Sequence, residues 1–80
     1  MDIALFVEQL ETKVIGIIQK GLKNETISLQ RASEISNIAL SNLYPSMGKN
    51  HLLLARENFL NVPELKTVID EIDAHMEEVN

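Results

Sequence analysis

The chain has 80 residues, of which 45% are hydrophobic and 24% charged, and its formal net charge at pH 7 is −5. This length suits one domain, 1–80, with a modest core, and the composition excludes a wholly disordered chain. The absence of cysteine excludes disulfides, thiol nucleophiles and cysteine-based zinc sites. The acidic balance and the scattered basic residues argue against nucleic acid as a partner.

No targeting or membrane-spanning pattern stands out in the sequence. The first eight residues lack the basic start and long apolar run of a signal peptide. No apolar stretch approaches the ~20 residues needed to cross a membrane. We therefore expect a cytoplasmic protein without a membrane partner.

Helix 1 is predicted from near Asp2 to Lys23. Its apolar arc is roughly 180° wide, whereas an ordinary amphipathic stripe covers ~100°. So wide an arc indicates either the central helix of a bundle or the seat of an interface. The β-branched run at residues 14–18 is also compatible with a strand, but the periodicity before it favours a helix. The residues of the arc are Ile3, Phe6, Val7, Leu10, Val14, Ile15, Ile17, Ile18 and Leu22.

Residues 21–27 are predicted to form a turn, in which Asn24 is available for a left-handed conformation. Ser28 is the expected N-cap of helix 2, and Pro45 should end that helix at or just before Tyr44. Ser36 and two alanines in the buried stripe should let another helix approach closely. The predicted stripe comprises Leu29, Ala32, Ile35, Ala39, Leu40 and Leu43.

Helix 3 is predicted from His51 to about Leu60, with Asn50 as its N-cap. Its apolar residues surround the helix almost completely, so it is either wedged among the others or exposes an adhesive face. These residues are Leu52, Leu53, Leu54, Ala55, Phe59 and Leu60.

Helix 4 has the most regular pattern, and Pro63 is suited to its first turn. Its predicted buried stripe contains Leu65, Val68, Ile69, Ile72, Met76 and Val79. From residue 64 to residue 80 there are six acidic residues and one basic residue, so this segment carries all of the net charge. The acids are Glu64, Asp70, Glu71, Asp73, Glu77 and Glu78. The four segments together predict an all-α fold, a compact antiparallel bundle of four helices with a short third helix.

No pattern of catalytic or metal-binding residues is convincing. Glu71, His75 and Glu78 share one flank of helix 4, but a bundle di-metal site needs Glu three residues before His, and Ile72 occupies that position. We therefore interpret His75 as part of a surface His–Glu pair. The Ser-x-x-Lys string at residues 46–49 lacks the other groups of a serine acylase. The sequence predicts no enzyme activity, no metal and no cofactor.

Two protein families have a similar outline. Ser28-Leu29 opens helix 2 much as the Asp-Ser-Leu motif does in acyl carrier proteins, with Ile27 in place of Asp. That resemblance implies a carrier domain with its prosthetic group on Ser28. The two longer helices, short third helix and final fourth helix resemble bacterial immunity proteins, which implies an inhibitor of a basic toxin or nuclease. Only Tyr44 stands near helix 3, where that family has a pair of tyrosines, so no site residues are transferred.

The leading hypothesis is a non-catalytic protein–protein interaction module. One candidate surface is the apolar surplus of helices 1 and 3, which favours a homodimer or a partner helix in a groove. The other is the acidic face of helix 4, which would steer a basic protein partner. The apolar candidates are Ile15, Ile18, Leu53, Leu54 and Phe59, and the acidic ones are Asp70, Asp73 and Glu77.

Overall fold

A computed structural model of the chain describes residues 3–43 and 48–79. The helices are α1 (Ile3–Lys23), α2 (Leu29–Leu43), α3 (Lys49–Phe59) and α4 (Lys66–Val79), and a 3₁₀ turn at Pro63–Leu65 precedes α4. No strand occurs among these residues. The predicted all-α bundle of four helices with a short third is confirmed. No helix in the described ranges is long and apolar enough to cross a membrane.

All four helices contribute to one hydrophobic core. α1 packs against α2 and α4, and α3 packs against the same two helices. Within each helix the buried positions recur every three or four residues, which places them along one side. The buried apolar residues are Phe6, Val7, Leu10, Val14, Ile27, Ala32, Ile35, Ala39, Leu43, Leu52, Ala55, Phe59, Val62, Leu65, Val68, Ile69, Ile72 and Met76.

The turn between α1 and α2 is a Schellman motif with Glu25, not Asn24, in the left-handed conformation. The backbone N–H of Thr26 donates to the Gly21 carbonyl at 2.9 Å, and that of Glu25 donates to the Leu22 carbonyl at 3.2 Å. These two bonds define the residue that must take positive φ, and Glu25 has φ 59°. Asn24, which was available for this conformation, does not adopt it, because composition indicates a turn but not its register.

Gly21 lets the chain fold back onto α1 at this turn. A Cβ atom at position 21 would lie 2.9 Å from Cβ of Ile27 and closer still to its γ1 and δ1 carbons. The side chain of Ile27 therefore occupies the space that any larger residue would need. The predicted N-cap of α2 is confirmed, because the backbone N–H of Arg31 donates to Oγ of Ser28 at 3.0 Å.

α3 lies across the C-terminal end of α2. Asn42 on α2 bonds to residues near both ends of α3: its carbonyl lies 3.1 Å from Nε2 of His51, and its Oδ1 accepts from Nδ2 of Asn58 at 2.6 Å. The N-cap position belongs to Gly48 at φ 133°, a conformation that glycine adopts without strain. The prediction of Asn50 as N-cap was wrong, since Asn50 lies in the first turn.

The predicted end of α2 and the predicted start of α4 compare differently with the structure. α2 reaches Leu43, and the proposed stop at Tyr44 and Pro45 lies outside the described residues. Pro63 begins the 3₁₀ turn rather than α4 itself, and the backbone N–H of Leu65 donates to the Val62 carbonyl at 3.0 Å within that turn. Such tight turns are common where an α-helix starts.

Candidate interaction surface

A groove between α1 and α2 combines exposed apolar rims with a buried apolar floor. It encloses about 230 Å³. Ile15 on α1 and Leu40 on α2 form the rims, and their side chains remain 54% and 51% exposed. The complete lining consists of Glu11, Val14, Ile15, Ser36, Ala39, Leu40 and Leu43.

The small side chains of α2 keep this groove open. Ala39 is buried at its floor and Ser36 stands at its wall. Longer side chains at these two positions would fill the space between the helices. Ser36 and Ala39 were predicted to let a neighbouring helix approach α2 closely. In the structure they also leave an open recess between α2 and α1.

Glu11 places an unpaired polar atom in the groove. Its Oε1 is inaccessible to solvent and has no hydrogen-bond partner among the described residues. A buried acceptor without a partner costs roughly 1–3 kcal/mol. Because the atom is closed to solvent, this cost belongs to the folded chain itself.

The wall on the α2 side is uncharged. The sequence has no acidic or basic residue from position 35 to position 48, and this stretch includes the C-terminal half of α2. Ordinary solvated helices carry charges on their outer faces, whereas the centres of protein interfaces are depleted of them. The C-terminal half of α2 shares this depletion of charge.

The predicted acidic face of α4 is largely paired with cations from other elements. Asp73 accepts two hydrogen bonds from the Arg56 guanidinium, at 2.6 and 3.3 Å, and this contact raises the pKa of Arg56. Glu71 bonds to Lys13 of α1 at 3.0 Å. Asp70 lies 3.4 Å from Lys66, where both side chains are exposed.

One further acid pair ties the start of the fourth-helix segment to α2. The Arg31 guanidinium donates to both carboxylate oxygens of Glu64, at 2.7 and 2.8 Å. These hydrogen bonds lower the pKa of Glu64 from its ordinary 4.5 to about 2. Of the three predicted acidic site residues, Asp70 and Asp73 therefore contact cations, while Glu77 is exposed.

α3 both packs inward and exposes leucines. Phe59 is 0% exposed, so its prediction as a surface candidate was wrong: with Leu52 and Ala55 it lies on the side that faces the core. Leu53 and Leu54 point outward and remain 42% and 62% exposed. α3 was predicted either to be wedged among the other helices or to expose apolar residues. It does both, on opposite sides.

The apolar arc of α1 is mainly core. Ile18 is only partly exposed and packs against the core, so it contributes less surface than predicted. Ile15 alone of the two α1 candidates lies on an open rim. On α2, Leu29 and Leu40 were assigned to the buried stripe, but Leu29 is 79% exposed and Leu40 forms a rim of the groove.

His75 is buried, contrary to the prediction of a surface His–Glu pair. Its ring stacks on that of Phe6, with centroids 4.0 Å apart and planes inclined by 13°. The side chain of Glu78, the other predicted neighbour, lies outside the described residues, as do Ser46 and Met47 of the Ser-x-x-Lys string. Within the described part of the chain, no three His, Asp or Glu side chains are placed to hold a metal ion.

A larger depression of about 630 Å³ lies at the turn between α1 and α2. Its lining includes Glu25, Thr26 and Ser28, which are exposed to solvent. Because it is wide, shallow and partly polar, it offers little apolar surface to a partner. The narrower groove is the better candidate although it is smaller.

Glu11 and Leu40 line the groove but were not predicted as members of an interaction surface. Both lie at the margin of an apolar stripe, where helical periodicity does not decide between core and surface. The uncharged run from position 35 to position 48 was the available signal for the α2 wall. The chain matches no protein-family model, no curated protein and no solved structure.

Proposed function

We propose that this protein is a non-catalytic protein–protein interaction module that docks a partner in the groove between α1 and α2. One observation carries the proposal: the exposed side chains of Ile15 and Leu40 flank a buried apolar floor, and the α2 wall beside them carries no charge. An apolar groove between two helices is typical of a surface that binds the apolar face of an amphipathic helix.

Covering the apolar rims would contribute part of the docking energy. Burial of the exposed halves of Ile15 and Leu40 would contribute about 1 kcal/mol each. A partner helix with two or three apolar residues on one face would cover both rims.

The acidic face of α4 has weaker support as the binding surface. The related role, an immunity-type inhibitor of a basic toxin, therefore also has weaker support. Arg56 and Lys66 contact Asp73 and Asp70, so a basic partner would have to compete with cations of this chain. An acyl-carrier role has no separate support, since the Ser28 hydroxyl caps α2.

The remaining parts of the proposal concern partners and location. Lys13, Arg31 and Arg56 each form an ion pair with an acid, which supports a protein that does not bind nucleic acid. We also propose a cytoplasmic protein that needs no cofactor and has no membrane partner. Cell fractionation would check the location.

Site-specific photo-crosslinking in cells tests the function. A benzophenone amino acid is placed at Ile15 or Leu40 in the groove, at Leu54 on α3, or at Asp70 on α4, one position at a time. All four positions are exposed, so each variant should keep its helical circular dichroism spectrum.

The proposal predicts a discrete crosslinked protein from Ile15 and Leu40 and none from Leu54 or Asp70. Adducts confined to Leu54 or Asp70 would instead assign the interaction to α3 or to the acidic face. No adduct from any of the four positions would contradict an interaction module.

A further inference from the structure

We draw no further inference here: the strongest candidate, the surface patch of exposed leucines that comprises Leu53 and Leu54 of α3 and Leu60 at its C-cap, carries nothing, because nothing in the structure shows what covers it.

Discussion

Glu11 and Glu64 are two carboxylates in opposite circumstances. Glu64 accepts two hydrogen bonds from the Arg31 guanidinium, which stabilise its charged form. Glu11 buries one carboxylate oxygen without a partner among the described residues, which costs stability in the isolated chain. The Arg31 contact compensates the first carboxylate for its partial burial, whereas the buried oxygen of the second has no such compensation among the described residues.

The Glu64 pair predicts a specific acid dependence of stability. Its pKa falls from 4.5 to about 2 on folding, so the unfolded chain takes up the proton first as the pH is lowered. The stabilisation is complete above pH 4.5 and is lost progressively as the pH falls towards 2. Glu64→Gln should therefore lower the free energy of unfolding at neutral pH and flatten its decline across this window. Urea titrations at several pH values would measure both effects.

The matched control for this prediction is Asp70→Asn. Asp70 contacts Lys66 where both side chains are exposed, and such pairs contribute little. Its pH profile should follow that of the wild type. If Glu64→Gln and the wild type lost stability in parallel from pH 4.5 to pH 2, the assigned role of the Arg31 contact would be wrong.

For single residues, burial was predictable from the sequence but contacts with distant residues were not. The inward side chains were predictable from periodicity, as for Leu10 and Ile35, because a helix repeats its buried face. The environment of His75 was not, since the ring of Phe6 that stacks on it lies 69 positions earlier in the chain. The ion pairs of Asp73 and Glu71 were not predictable either, because their cationic partners lie on other helices, α3 and α1.

At the scale of elements, the joint between α1 and α2 depends on Gly21. The Schellman bonds turn the chain so that Ile27 packs directly over that glycine. The helices themselves were predictable within a few residues from their apolar periodicity and from Ser28. The residue with positive φ and the N-cap of α3 were not, because they depend on how each turn closes.

Two glycine substitutions on α1 should have opposite effects. Gly21→Ala forces a methyl group into Ile27, and we expect the free energy of unfolding to fall by about 1–2 kcal/mol. Gly16→Ala is the matched control, since nothing lies within 4 Å of its added methyl group. It should raise the free energy of unfolding by about 0.5–1 kcal/mol through helix propensity alone. Denaturant unfolding measures both, and a gain from Gly21→Ala would refute the close contact.

At the scale of the whole molecule, charge and apolar surface are separated. Residues 3–43 have no net charge and form the groove, whereas the net negative charge belongs to the fourth-helix segment, whose described acids are largely paired with cations. The sequence predicted both surfaces as alternatives because it showed the polarity but not the cross-helix ion pairs. We prefer the apolar groove in the proposed function, since the acids of α4 already contact Lys13, Arg56 and Lys66.

The groove claim is tested most directly by amide NMR spectra of the isotope-labelled protein, recorded before and after addition of the partner that crosslinks through Ile15. We predict shifts for the α1 residues around Ile15 and for the α2 residues around Leu40. The amides of Leu54 and Glu77 should not move. Shifts centred on α3 or α4, or spectra that do not change on addition of the partner, would contradict docking through this groove.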